Sequence, residues 1–346
     1  MKTRSRQFSP LIGIILILIL SACGGGGGSS SGGSSAEKPH LSIMVGGMSK
    51  QIYLPNMLTK QLGYFDQAGL NVTLIDEASG QSSENSVLAG QVDAGSGSYN
   101  HTIELQAAGK KMTSVLQMDI APGEAEIVST KAAAQIHSVQ DLKGKNLGVT
   151  ELGSGTQTLT TAILHNVGIA PDQVHFLPVG AGDTFIAGLQ QGRIDAGMTT
   201  EPTISRILST GAGKVLVDMR TPEGTQTALS GAYPFICLFM NSDYVANHKD
   251  TVQKLVGAYV KTMKWIHSHS AEEIAAKMPP DYYAGNKDLY ITALKSQIAI
   301  FSPDGKMPTG GPESVLKIEN QTNQAVKGKQ IDLNATYTND FVNSAG

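Results

Sequence analysis

The apolar and polar positions of this chain fall into a pattern that occurs twice. Leu41-Ser-Ile-Met-Val45 and Asn146-Leu-Gly-Val-Thr150 are short apolar runs of strand length. Each passes through a polar turn, Gly46-Gly-Met-Ser49 or Leu152-Gly-Ser-Gly-Thr156, into a predicted helix. Each helix ends at a glycine-led turn, Gln67-Ala-Gly-Leu70 or Asn166-Val-Gly-Ile169. A second strand follows, Asn71-Val-Thr-Leu-Ile75 or Val174-His-Phe-Leu-Pro-Val179, and then a second helix over 81–88 or 184–191. The copies converge on Gly90-Gln-Val-Asp-Ala-Gly95 and Gly192-Arg-Ile-Asp-Ala-Gly197. There the leading glycine fits a left-handed helix end, and Val92 and Ile194 are expected to open a third strand. Strand, helix, strand, helix, strand predicts a parallel sheet covered by helices. Two such units predict an α/β protein of two lobes, with strand ends and helix starts facing across a cleft. The break at Ala121-Pro-Gly-Glu124 and the apolar run Pro234-Phe-Ile-Cys-Leu-Phe-Met240 are the expected crossings between lobes.

The N-terminal pattern is of another kind. Lys2, Arg4 and Arg6 precede residues 11–20, which are aliphatic apart from one glycine. A permanent membrane helix needs roughly 20 apolar residues, about twice this run, so a secretory signal peptide is predicted. Leu20-Ser-Ala-Cys23 resembles the bacterial lipobox. That resemblance implies cleavage before Cys23 and a diacylglycerol thioether on its sulfur, with a further acyl chain such as palmitate for stable anchoring. The Gly/Ser run 24–35 cannot pack a core and is expected to be a tether with a root-mean-square reach on the order of 20 Å. Lipidation leaves Cys237 alone in its apolar run, read as a small buried hydrophobe. No intramolecular disulfide then staples the fold.

The remaining residues, roughly 310, are enough for two lobes with their own cores. A formal net charge of −3 with dispersed basic residues gives no nucleic-acid footprint. No H-E-x-x-H or Cys/His ligand spacing is present, and His267 and His269 would point apart on a helix, so no metal is expected. No cofactor is expected either. Gly153-x-Gly155 is followed by Thr158 rather than a third glycine, and neither a P-loop nor a G-x-S-x-G elbow occurs.

Leu62-Gly-Tyr-Phe-Asp-Gln-Ala-Gly-Leu70, Gly80, Gly90-x-x-Asp93, Asp141-Leu-Lys-Gly-Lys145 and Gly153-Ser-Gly155 follow one another in a telling order. In these the chain resembles the nitrate/sulfonate/taurine/thiamine-precursor substrate-binding proteins of ATP-driven (ABC) importers. The resemblance implies the type II periplasmic-binding-protein fold, with two α/β lobes, two hinge crossings and closure on a small molecule. The chain then divides into a signal peptide (1–22), the lipidated cysteine and tether (23–38), the first part of lobe 1 (39–124), lobe 2 (125–234), and the return strand and C-terminal helices of lobe 1 (235–346).

Site residues are sought at the strand ends of this plan. Ser154, Gly155 and Thr156 open a helix, where backbone N–H groups and hydroxyls suit a carboxylate, sulfonate or phosphate; an ordinary N-cap is the alternative. Met48 and Tyr53 offer a soft wall with a polar tip, or simply lobe packing. Gly80, Gln81 and Ser82 open the next helix, with Ser79 as a possible cap, and Ser98 and Tyr99 follow the third strand, Tyr99 as a stacking platform. Thr200 and Glu201 hold the matching place in lobe 2. Glu201 is either a cleft-facing charge that favours an ammonium or ring N–H, or a helix-start carboxylate ahead of Pro202. Asp93 and Asp195 are read as turn-setting, and Tyr233, at the second crossing, as a ligand contact or a hinge.

The expected function is that of an extracytoplasmic, lipid-anchored, monomeric solute-binding protein on the cell membrane. It captures a sulfonate-, taurine- or pyrimidine-like molecule and delivers it to an ABC permease and its ATPase, without catalysis. The alternatives are presentation of the ligand to a membrane sensor, or an enzyme on the same fold.

Overall fold

The computed structural model describes residues 38–345. The expectations for the signal peptide, Cys23 and the tether lie outside these residues. Ten strands form two five-stranded sheets with the same plan. The first contains β1 (His40–Val45), β2 (Asn71–Asp76), β3 (Ala94–Ser98), β4 (Met112–Gln117) and β10 (Ile236–Asn241), in the order β2-β1-β3-β10-β4. The second contains β5 (Glu124–Ser129), β6 (Asn146–Val149), β7 (His175–Pro178), β8 (Ala196–Thr200) and β9 (Gly213–Met219), in the order β7-β6-β8-β5-β9. β1 pairs in parallel with β2 and β3, and β6 with β7 and β8. The fourth position is antiparallel in both sheets. It is filled by β5, the first strand after the chain leaves the first sheet, and by β10, the first after it returns.

The third strands begin two residues later than expected, at Ala94 and Ala196 rather than Val92 and Ile194. The intervening aspartates explain the delay. Asp93 Oδ2 accepts the backbone N–H of Ser42 (2.7 Å) and its hydroxyl (2.9 Å), while Asp195 Oδ2 accepts the N–H of Asn146 (2.9 Å). Each aspartate thus ties the approach to its strand onto β1 or β6 through both its carboxylate and its own backbone N–H.

The cores follow the periodicities. In the helix Lys249–Ser268, Val252, Leu255, Val256, Tyr259, Val260, Met263 and Ile266 are buried on one face. That face meets the helix Leu54–Gln61, where Thr59 and Thr262 hydroxyls lie 2.7 Å apart and Tyr259 donates to Asn56 at 2.8 Å. Across the two sheets, the helix Gly311–Thr322 packs on Gly155–Asn166, and Lys287–Gln297 on Thr203–Thr210. Cys237 is buried in β10, as an apolar strand cysteine should be. Among the described residues no helix is long and apolar enough to cross a membrane.

Candidate functional site

The edges of the two sheets converge on a cavity of about 20 Å³, room for about one water. The turn after β1 supplies Lys50, Ile52 and Tyr53, and the helix Gly80–Leu88 supplies Gly80. Ser98 ends β3, and His101 follows in the helix Asn100–Ala107. Thr150 and Ser154 come from the turn after β6, and Gly155 and Thr156 open the helix Gly155–Asn166. Both crossings also reach it, through Glu124 at the start of β5 and Phe235 just before β10. Gly80 packs tightly against its neighbours. A Cβ there would lie 3.1 Å from Gly97 Cα and 3.3 Å from the Tyr53 hydroxyl, so the helix start sits close on β3 and against that hydroxyl.

Of the residues expected from sequence, Tyr53, Gly80, Ser98, Ser154, Gly155 and Thr156 meet at this cavity. The hydroxyls of the second-sheet turn are tied to one another. Thr156 Oγ1 accepts the N–H of Thr150 at 3.0 Å and lies 2.7 Å from Ser154 Oγ, which donates to the carbonyl of Glu151. Ser98 bonds to Asn100.

The other expected residues are placed elsewhere. Tyr99 is not a platform in the cleft: its ring is fully buried, its hydroxyl lies 2.6 Å from Thr336 Oγ1, and Tyr337 meets it edge-on. Thr200 spends its hydroxyl on the carbonyl of Gly123, bracing the first crossing. Met48 is half-buried against the core, with its N–H on Asp76. Tyr233 is buried at the second crossing, tilted against Phe235. Gln81 faces Glu84, with its amide 3.2 Å from the carboxylate, in a neighbouring crevice. Ser82 donates to Glu151 at 2.9 Å. Glu201 is buried and fully engaged, one oxygen on Arg220 (3.0 Å) and the other on the N–H of Ser205 at the start of a helix. That geometry is the helix-start alternative, with a cation added from the segment after β9.

Sequence reasoning missed the charges that matter most here. Lys50 is buried and donates to the carbonyls of Gly46 (2.8 Å) and Ala78 (2.9 Å). Burial lowers its pKa to about 8, against the pull of Glu124. Burial raises Glu124 to about 8, against the pull of Lys50, and Glu124 Oε2 has no hydrogen-bond partner. Buried Asp119, on the crossing segment, likewise has both oxygens unpartnered and a pKa raised by burial. His101 was missed as well. Burial opposes its charging, but Glu84 and Glu104 outweigh burial and raise its pKa. The spacing of three between His101 and Glu104 becomes a signal only once the segment is known to be the helix Asn100–Ala107. The cavity thus offers one unpartnered carboxyl oxygen among hydroxyls, a lysine and an imidazole, and among the described residues no arginine lines it. The one cysteine of the described residues is a poor nucleophile, because burial pushes its thiol up to about 12.

The family model described as NMT1/THI5 like matches residues 53–273. A solved structure from Bordetella bronchiseptica RB50 is 32% identical, covering 89% of this chain and 97% of its own, with a TM-score of 0.85. The periplasmic aliphatic sulphonate binding protein of Escherichia coli is 18% identical, covering 86% of this chain and 91% of its own, with a TM-score of 0.64. A 4-amino-5-hydroxymethyl-2-methylpyrimidine phosphate synthase of Saccharomyces cerevisiae is 25% identical over 43% of this chain. The chain spans 42% of that curated relative's length. The two-sheet architecture is the periplasmic-binding-protein fold. The chain belongs to the NMT1/THI5-like family.

Proposed function

We propose that this protein is the extracytoplasmic solute-binding component of an ABC importer. It closes two lobes, 39–124 with 235–346 and 125–234, around a small organic molecule and hands it to a membrane permease. The crossings 117–124 and 219–236 act as hinges, and closure is a population shift driven by ligand contacts to both sheets. Cys23, lipidated after signal cleavage, holds the monomer at the outer face of the membrane through its Gly/Ser tether. The basic tip, short apolar run and Leu-Ser-Ala-Cys motif support that placement.

One observation carries the choice of ligand. Glu124 lines the cavity with an unpartnered carboxyl oxygen, and among the described residues no arginine is there to meet a hard anion. Burial holds this carboxyl protonated up to about pH 8, and N–H donors from a ligand give it the partners that let it ionise. The ligand is accordingly a pyrimidine- or amine-type molecule presenting N–H groups, rather than a simple sulfonate. Contacts from Tyr53, Ser98, Ser154 and Thr156 complete its recognition.

The test is a ligand screen by thermal shift on the full chain, with mass analysis of the bound molecule before and after incubation. An N–H-bearing heterocycle should raise the melting temperature by the equivalent of about 2.7 kcal/mol at ~100-fold excess over Kd. It should be recovered unchanged. Conversion of the molecule by the purified protein refutes the binding-only reading, and stabilisation by sulfonates alone refutes the ligand class.

A further inference from the structure

Next to the cavity, two helices bring three ligating side chains together. Glu84 lies on Gly80–Leu88, and His101 and Glu104 lie on Asn100–Ala107. His101 Nδ1 is 3.2 Å from Glu84 Oε2 and 3.3 Å from Glu104 Oε2. A single Nδ1–H cannot serve two carboxylates equally. A third carboxylate, Glu319, is fully buried beside them; Asn323 Nδ2 donates to both Glu104 (2.9 Å) and Glu319 (3.0 Å). Among the described residues His101 Nε2 has no hydrogen-bond partner, and Glu319 Oε1 makes none of normal geometry, though the Tyr233 hydroxyl lies beside Glu319. The side chains of His101 and Glu84 are 1% and 5% exposed.

Two buried carboxyl groups, Glu84 and Glu319, and the half-buried Glu104 face one imidazole, and buried charge of one sign is costly. A proton or a cation must offset it. The spacing fits a cation. Metal–ligand bonds of about 2.0–2.1 Å at tetrahedral angles place neighbouring ligand atoms roughly 3.4 Å apart, and the two distances from Nδ1 are within two-tenths of an ångström of that. All three ligand atoms lie within 4.8 Å of one another. Supporting partners are also in place. While Glu104 Oε2 faces the cluster, its Oε1 is held by the amides of Asn100 (3.0 Å) and Asn323. An entry path exists, because a crevice of about 290 Å³ lined by Gln81, Glu104, Glu319 and Asn323 reaches the cluster.

We propose that Glu84, His101 and Glu104 bind one divalent transition cation of the zinc type, with water from the crevice as the remaining ligand. One imidazole and two carboxylates suit such a cation, and three protein ligands leave it a position open. The cation offsets the charge that Glu84 and Glu104 carry as ligands, against the burial that favours the neutral form of Glu84. It also fixes the imidazole proton on Nε2, which turns His101 into a fixed donor at the cavity it lines. The site stands on this cluster alone and is independent of which molecule occupies the cleft.

Calorimetric titration of the metal-free full chain with Zn²⁺ alone tests it, alongside visible absorption after loading with Co²⁺. One Zn²⁺ per chain is expected, with a tetrahedral Co²⁺ spectrum. Glu104→Gln and His101→Gln should each weaken Zn²⁺ by at least ~10-fold, the loss that even a supporting partner causes. Circular dichroism establishes that each variant is folded. If His101→Gln does not fold, Glu104→Gln carries the test, since that carboxylate is 21% exposed and tolerates the amide best. No binding in a large excess of Zn²⁺ overturns the proposal, as does Zn²⁺ binding that Glu104→Gln leaves unchanged.

Discussion

Ser82 Oγ donates to Glu151 Oε2 at 2.9 Å, and the two residues belong to opposite sheets. Ser79, the N-cap of the same helix, bonds the same oxygen. A carboxylate from the second sheet thus sits on the helix start of the first, where N–H groups and the helix dipole favour negative charge. The clasp closes the cleft from outside the cavity. Hydrogen bonds to a charged group contribute roughly 1.5–3 kcal/mol each. Glu151→Ala should therefore open the ligand-free chain, seen as a larger radius of gyration by small-angle scattering. Ligand affinity should fall about 10-fold. An unchanged radius and affinity would show that the clasp does not set the closed state.

The aspartates that delay the third strands carry a measurable load. Asp93→Ala strands two donors of Ser42, and Asp195→Ala strands one of Asn146. Each unsatisfied donor costs about 1–3 kcal/mol where it is shielded from water. Urea unfolding should find both variants destabilised, Asp93→Ala the more so. The reverse order would contradict the turn-setting role.

Stability should fall between pH 5 and pH 8. Glu126 is fully buried, with Thr160 bonded to one oxygen and the other unpartnered. Burial raises its pKa to about 8, and Glu124 is raised to about 8 beside it. In the unfolded chain such carboxyls titrate near 4.3. Between those values the folded state binds more protons than the unfolded state, so stability declines by up to about 1.4 kcal/mol per pH unit per group. Melting temperatures measured across this window should drop, and Glu126→Gln should flatten the slope. A melting temperature that rises from pH 5 to pH 8 would contradict the assignment.

Cys237 should resist modification. With its thiol buried and pushed up to about 12, the native protein should leave the peptide bearing Cys237 unlabelled by iodoacetamide, while the unfolded protein labels fully. Rapid labelling in the native state would show a far more open β10.

The sequence foretold the architecture because repeats and periodicities are local. The doubled strand–helix pattern, the Gly-x-x-Asp turns and the apolar run in β10 each specify their own segment. The residues that define the site are legible only where they follow from strand ends, as with Tyr53, Gly80, Ser98 and the 154–156 turn. Tyr99 was misplaced because its partner, Thr336, lies 237 residues away. Glu201 stayed ambiguous because Arg220 approaches from the segment after β9. Lys50 and Glu124 carry no sequence signal at all, since burial of a charge is a tertiary fact.

The most direct test is calorimetric titration of the full chain with an aminopyrimidine and an alkanesulfonate in parallel, repeated on Glu124→Gln. Binding of the aminopyrimidine is expected, weakened about 10-fold or more by the substitution, because an amide cannot ionise against the ligand's N–H groups as the Glu124 carboxyl can. Binding of the alkanesulfonate alone, tightened by Glu124→Gln, would contradict it.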